Sequence, residues 1–481
     1  MLEQSKKIWF FVISGLFILI NSIFIFTENF VFTLLPIGIA FAYLALFRLD
    51  ILYKLIIFFV PISVTLNELE IETKVDMSLP TEPLLFGVLI IFILRLLYDG
   101  GFDKKILKHP VTLLILINLS WIFITMLMSS SPVISLKYLL VQLWFLATFY
   151  FISTQIFKRK NNFNQFFWLY TAGFSLVIAY TIIMHIPHNF SQKSANWVMS
   201  PFFDDHTSYG ACIAFFLPFL TGKLLSKEIL GTKKLLMFLF YVLFIFALIT
   251  CYTRAAWLSL VAALVLFIVL KLKIKWWIIS GVALVGLIVV ILSWNQIILA
   301  LESNKTDSST DLKDHVSSMS NVSSDASNLE RINRWKSAFE MFKEKPFFGW
   351  GPGTYAFEYA PFQKSADKTI ISTNAGDGGN AHSEYLGPLS ERGFFGLLIT
   401  IILFITIFST GLKVYKKLDD PKLKLIALAA FMGLTTYFVH GFLNNFLDQD
   451  KVAAPFWGFT AILVILDVYY LPNSKSSKGN L

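Results

Sequence analysis

Charge is scarce in this sequence. Asp, Glu, Lys and Arg together make up 15% of its 481 residues, against about 25% in soluble domains. Cysteine is scarcer still, with only Cys212 and Cys251, both inside or at the edge of apolar runs. A disulfide framework needs more cysteines and a zinc site needs paired ligands at short spacing, so both read as small buried apolar residues. Arginine is rare as well, supplying seven of the 40 basic residues. What is abundant is apolar: 56% of the chain, with 50 phenylalanines, enough for about thirteen or fourteen spans of ~20 residues each. The shortage of charge and the surplus of apolar surface exclude a disordered chain, a coiled coil, a disulfide scaffold and a secreted enzyme. They leave an all-α polytopic membrane protein.

Apolar runs bounded by charge place about fourteen transmembrane helices at 8–27, 30–47, 51–66, 84–98, 110–128, 134–156, 163–186, 207–222, 235–252, 256–270, 276–298, 393–411, 425–444 and 453–471. The third and fourth are short enough to be tilted or partly re-entrant. Lys6 and Lys7 precede a first run too long for the core of a signal peptide, with no small-residue cleavage site after it. With those lysines cytoplasmic, every second loop should be basic, and it is: Lys104/Lys105/Lys108, Lys158-Arg159-Lys160, Lys271/Lys273/Lys275 and Lys413/Lys416/Lys417 all fall on the same side. Both termini are then expected in the cytoplasm. The net charge of +9 is mostly inner-loop lysine facing anionic lipid and requires no nucleic acid. The chain divides into spans 1–11 (residues 1–299), one long outer loop (300–392), and spans 12–14 with a cytoplasmic tail (393–481).

Four of the seven arginines, Arg254, Arg331, Arg334 and Arg392, fall on the outer side, where basic residues are otherwise discouraged. Lysine would mark topology equally well. A guanidinium adds a planar fork that grips phosphate or carboxylate bidentately and keeps its proton. Arg254 sits in the tight turn Tyr252-Thr253-Arg254-Ala255 with no acidic residue nearby in sequence. It could snorkel as an anchor, but the inner span ends use lysine for that, which favours ligand binding. Arg334 and Arg392 are equally open to ordinary salt bridges with the loop's own acids.

Ser327 and Glu330 form a capping-box pattern, and Leu329, Ile332, Trp335, Phe339 and Phe342 recur at helical spacing. This predicts a short amphipathic helix lying on the membrane surface, its polar face toward the loop. Glu330 has a sufficient structural role as cap and as i,i+4 partner of Arg334. Three alternating glycines, Gly349, Gly351 and Gly353, precede Tyr355 and would allow close backbone approach to a ligand. His382, followed by Ser383, Glu384 and Tyr385, is a candidate general base, although a lone histidine is more often structural. Asp204-Asp205-His206 opens the eighth run on the outer side. Asp448-Gln449-Asp450 has the spacing of a metal-binding DxD, but is expected only to solvate a turn, with no metal.

Thr253-Arg254-Ala255, Glu330-Arg331-x-x-x-Trp335, Pro346, Gly349-x-Gly351-x-Gly353-x-Tyr355 and His382-x-x-Tyr385-Leu386, in this order, resemble the O-antigen ligase/polymerase superfamily of C-type glycosyltransferases. The likeness runs from about Phe202 to the C-terminus. It implies an inner-membrane enzyme that moves a glycan from undecaprenyl diphosphate to a hydroxyl acceptor on the periplasmic face, inverting the anomeric carbon without metal or other cofactor. The acceptor would be lipid A–core for a ligase, a growing chain for a polymerase, or a protein hydroxyl for an O-oligosaccharyltransferase; the motif order leans to the ligase. By resemblance Arg254 and Arg331 hold the diphosphate and His382 activates the acceptor. Glu330, Arg334, Trp335, Gly351, Gly353, Tyr355, Tyr385, Asp204 and His206 complete the expected substrate contacts, the triplet Asp204-Asp205-His206 facing outward where it could contact sugar. Ser383 stands where the family often has asparagine, and fourteen spans exceed the twelve commonly found. The rival from another class is a lipid-linked oligosaccharide flippase, which would place several charges at mid-span; here Asp467 is the clearest such charge.

Overall fold

A computed structural model describes residues 2–28, 31–69, 77–98, 101–226, 230–275, 326–365 and 379–472, with residues 292, 368 and 372. Among the described residues, eleven helices are long and apolar enough to cross a membrane. Backbone amides in hydrocarbon must bond within their own segment, which is why such a composition folds as helices.

The chain forms two compact units, Met1–Leu55 and Ile56–Leu481. The first holds α1 (Leu2–Phe26) and α2 (Leu35–Phe47), and α3 (Leu49–Phe59) begins in it. Phe32, in the connection, stacks on Phe17 and Phe24 at ring-centroid distances of 5.5 and 5.1 Å. Two of the expected spans shorten here: α2 has 13 residues and α3 has 11, because Arg48 and Asp50 break the first and Pro61 ends the second. The fourth run, expected to be short, is a full 18-residue helix, α4 (Thr81–Tyr98). The run expected at 276–298 lies outside the described residues but for residue 292.

The second unit continues with α5 (Pro110–Leu127), α6 (Pro132–Phe145, running through a π-helical stretch, Leu146–Ile152), α7 (Asn161–His185), α8 (His206–Leu225), α9 (Thr232–Thr250), α10 (Arg254–Lys271), α11 (Ala326–Glu344), α12 (Leu386–Lys417), α13 (Pro421–His440) and α14 (Asp450–Ile465). Every residue of α14 is buried, which makes it the central helix. α9 and α10 are as apolar but leave Leu235, Leu239, Leu258 and Leu264 more than half exposed, the surface a lipid would cover. An apolar helix is thus either central or lipid-facing, and hydropathy alone does not distinguish the two.

Interlocking aromatic rings fill the centre: Phe167 stacks on Phe219 at 4.2 Å and Tyr170 on Phe216 at 4.4 Å. Gly433 lets α13 approach α8 closely, since a Cβ there would lie 2.7 Å from the Phe215 carbonyl. Asp467, the charge expected at mid-span, is buried but paired: Lys413 Nζ lies 2.7 Å away and His109 Nε2 3.1 Å. At the opposite end of the unit the loop segments gather where α8, α10, α12 and α14 begin and α13 ends. There Thr253 bonds the start of α8, Glu384 bonds the end of α13, and the Trp350 carbonyl accepts from Ser130.

Candidate functional site

The turn that carries Arg254 is fixed before Arg254 is reached. Thr253 Oγ1 donates to the His206 carbonyl at 2.7 Å, and Gly210 admits the threonine, since a Cβ at 210 would lie 2.8 Å from Thr253 Cβ. Tyr252, at φ 53°, donates its hydroxyl to the Phe190 carbonyl at 2.9 Å. Asp205 caps α8, its Oδ1 accepting from the backbone N–H of Thr207 at 2.6 Å and of Ser208 at 2.8 Å. Two long helices, α8 and α10, therefore begin side by side, with Arg254 as the first residue of α10. Helix N-termini carry partial positive charge and favour anions.

Arg331 arrives from α11. Its Nε donates to the Leu443 carbonyl at 3.2 Å, just past the end of α13. Burial first, and then the like charge of Arg254, lower its pKa to about 10, with Asp205 pulling the other way. It remains protonated at neutral pH. Two guanidiniums thus sense each other across a partly desolvated space, an arrangement that an anion between them would relieve.

His382 joins the same cluster. Its backbone sits at φ 47°, its N–H donates to Asn380 Oδ1 at 3.0 Å, and its carbonyl accepts from Trp335 Nε1 at 3.3 Å. Burial, then Arg331 and Arg334, depress the imidazole pKa to about 4, so the ring is neutral over the physiological range. Ser383 points elsewhere: its Oγ accepts from the N–H groups of Tyr385 and Leu386 at 3.3 and 3.4 Å, securing the first turn of α12. The orientation of His382 rests on Asn380 and Trp335 instead.

Most of the remaining expected contacts have partners within the protein. Glu330 Oε1 accepts from Arg334 Nε at 2.7 Å, and both side chains are buried. Its Oε2 accepts from Ser372 and Asn333. The Arg334 guanidinium lies 4.1 Å from the centre of the Tyr359 ring. This is the salt-bridge alternative of the sequence reading. α11 already begins at Ala326, so Ser327 lies in its first turn rather than ahead of it. The helix turns its polar side inward, with Glu330, Asn333, Arg334 and Ser337 buried while Phe339 is 49% exposed.

Tyr355 donates its hydroxyl to the Arg334 carbonyl at 2.8 Å and its N–H to Glu391 Oε1 at 3.0 Å. Tyr385 donates to the Phe438 carbonyl at 3.0 Å and stacks on Phe442 at 4.3 Å. The glycines make their close approach to the chain itself: at Gly351, φ 117°, a Cβ would lie 2.0 Å from Ser129 Oγ, and at Gly353, φ 75°, 3.2 Å from Tyr138 Cβ. Gly351 N–H donates to the Glu391 carbonyl at 2.8 Å. Arg392 NH1 donates to Asn118 Oδ1 at 2.9 Å.

The two acids of the DxD part company: Asp448 lies in a turn, but Asp450 does not face solvent. Asp450 is 4% exposed and accepts from Ser63 Oγ at 3.0 Å and Thr81 Oγ1 at 2.6 Å, because α14 starts beneath the loop rather than outside it. Asp448 is exposed and, with Asp204, lines a cavity of about 150 Å³.

Two residues of this end do more than the sequence suggests. Asp205 lies between the expected contacts Asp204 and His206 and acts on Arg331 and His382; an aspartate directly ahead of His-Thr-Ser is a helix-cap signal. Glu384 Oε1 accepts from Tyr437 Oη at 2.5 Å and from the N–H groups of Phe446 and Leu447 at 2.8 and 3.0 Å. It pins residues 444–448 beside the His382 segment, and no local pattern announces that contact.

Residues 239–401 match the family model described as O-antigen ligase. No curated protein matches the chain. The matched segment contains Arg254, Arg331 and His382, which the fold gathers at one end of the helices. Over that segment, about a third of the chain, with helices of spanning length on both sides of it, this membrane protein is similar to the O-antigen ligase family.

Proposed function

We propose that this bacterial membrane protein transfers a glycan from an undecaprenyl diphosphate carrier to a hydroxyl acceptor, lipid A–core in the ligase reading, at the outer face of the inner membrane. Both termini would lie in the cytoplasm. The observation that carries the reading is the convergence of two guanidiniums, Arg254 and Arg331, with a neutral imidazole, His382, inside the family-matched segment.

In this reaction the acceptor oxygen attacks the anomeric carbon, the bond from that carbon to the phosphate oxygen breaks, and configuration inverts. The acceptor proton passes to His382. The electron pair leaves with the diphosphate, whose growing negative charge Arg254 and Arg331 compensate. A lipid diphosphate leaves readily at neutral pH, so the chemistry calls for no general acid. An imidazole of pKa about 4 is a weak base in the free protein. A bound diphosphate offsets the field of Arg331 and Arg334 and raises its basicity as the donor arrives.

The test has two parts. A deletion strain is analysed on a polysaccharide gel: full-length chains left on the lipid carrier fit a ligase, and a single repeat unit left on the acceptor fits a polymerase. Unchanged glycans with blocked protein glycosylation fit the protein O-oligosaccharyltransferase. In purified protein, Arg254→Ala, Arg331→Ala and His382→Ala should each abolish transfer while the protein still inserts and stays folded. Arg254→Lys should not rescue, because an ammonium lacks the bidentate fork. Full activity in His382→Ala would remove it as the base.

A further inference from the structure

Behind the segment that carries His382 lies a second polar space. It is a cavity of about 130 Å³, room for roughly ten water positions or one sugar ring. The two residues before His382 and the two after it line its wall. Glu384, Glu391 and Asp448 bring three carboxyl groups to it against one guanidinium, Arg392, and Tyr138 closes it on one side.

Glu384 and Glu391 each hold backbone N–H groups with one oxygen. No other side chain among the described residues donates to Asp448. Arg392 is 5% exposed, yet its Nε–H has no acceptor among the described residues, and Asn445 Oδ1, also on the wall, has no donor there. A buried donor and a buried acceptor left open around one cavity imply a molecule that can both accept and donate. The surplus of carboxylates makes that molecule neutral or cationic.

We propose that this cavity is the acceptor subsite and takes a hydroxyl-rich sugar ring without negative charge, a neutral or amino sugar. The assignment rests on the glycan-transfer reading above. It seats the acceptor ring beside the His382 segment and sorts the two substrates by charge: the diphosphate toward Arg254 and Arg331, and the hydroxyl-bearing ring toward Glu384, Glu391 and Asp448. Carboxylates accept sugar hydroxyl protons as charge-assisted hydrogen bonds, and the same carboxylates repel phosphate and uronate groups. A diphosphate entering this cavity would meet three acids.

The test uses purified full-length protein in lipid nanodiscs. Methyl glucoside, methyl glucosaminide and methyl glucuronide serve as probes, with binding read by saturation-transfer NMR. The first two should bind, and the glucuronide at least about tenfold more weakly. Asp448→Lys should abolish the preference for the amino sugar and tighten the glucuronide by about tenfold. Asp448→Asn, a milder change at an exposed position, should lose the preference for glucosaminide over glucoside.

Equal binding of all three probes, binding of none, or both variants behaving as wild type would each overturn the assignment. Binding of undecaprenyl diphosphate, read in parallel by thermal shift, separates the two readings. It should disappear in Arg254→Ala and Arg331→Ala and persist in Asp448→Lys. If the arginine variants keep it, the transfer reading fails, while the cavity is judged on the methyl glycosides alone.

Discussion

The depressed basicity of His382 can be measured before any substrate is found. Its pKa of about 4, against 6.5 for a free imidazole, means the folded state prefers the neutral ring by at most about 3 kcal/mol at ~1.4 kcal/mol per pH unit. Burial is the first cause, and Arg331 and Arg334 are the next. Between the two pKa values the unfolded chain binds more protons than the folded one. Stability therefore falls as pH falls through this window and is fully present above pH 6.5.

The direct assay is carbethoxylation by diethyl pyrocarbonate, which attacks only the neutral ring, followed by mass spectrometry of the peptide containing His382. The rate should hold its plateau from neutral pH down past pH 5 and halve near pH 4, while free N-acetylhistidine halves near 6.5. Arg331→Met removes the stronger of the two guanidinium fields on the ring and should move the protein midpoint up by about one pH unit. A wild-type midpoint near 6.5, or one that does not move in Arg331→Met, would refute the electrostatic account of the site.

Other expectations follow from packing. Gly351→Ala forces a methyl to within 2.0 Å of Ser129 Oγ at a φ of 117°, and should lower stability by about 2–3 kcal/mol, read as a loss of thermal stability in detergent. Glu330→Ala strands the buried Arg334 guanidinium and should cost about 3–5 kcal/mol; a thermal profile matching wild type would mean the pair is open to water. Asp467→Ala leaves Lys413 and His109 facing each other, so unfolding at neutral pH should come several degrees earlier. Lys413→Met, which leaves His109 paired to Asp467, should be milder.

Much of the fold was legible because hydrocarbon imposes one rule on every segment: long, uncharged and helical. The runs at 110–128, 163–186 and 235–252 needed nothing else. The rule failed where length was marginal, as at α2 and α3, whose ends are set by Arg48, Asp50 and Pro61. It could not rank helices by depth, because lipid and protein interior are equally apolar; α14 at the centre and α10 at the rim look alike as strings.

The site was legible in part. An arginine in an otherwise uncharged turn is conspicuous, so Arg254 stood out, and motif order joined it to Arg331 and His382. The glycines were ambiguous as a string, because closeness to a ligand and closeness to the chain's own side chains, Ser129 and Tyr138, demand the same missing Cβ. The influence of Asp205 on Arg331 and His382, and the bonds of Glu384 to residues 446 and 447, were not legible because those partners lie far away in sequence.

By itself the sequence determined the class of the protein, the number of apolar runs, the one long polar loop and the rarity of arginine outside it, all properties that depend only on local composition. Tertiary structure alone decided which charges meet. It set Arg331 against Arg254 and His382, paired Arg334 with Glu330, buried Asp450, and left Arg392 Nε and Asn445 Oδ1 open on a cavity wall. Those outcomes depend on contacts between residues tens to hundreds of positions apart, and on burial, which changes the energy of a charge more than any neighbour in sequence does.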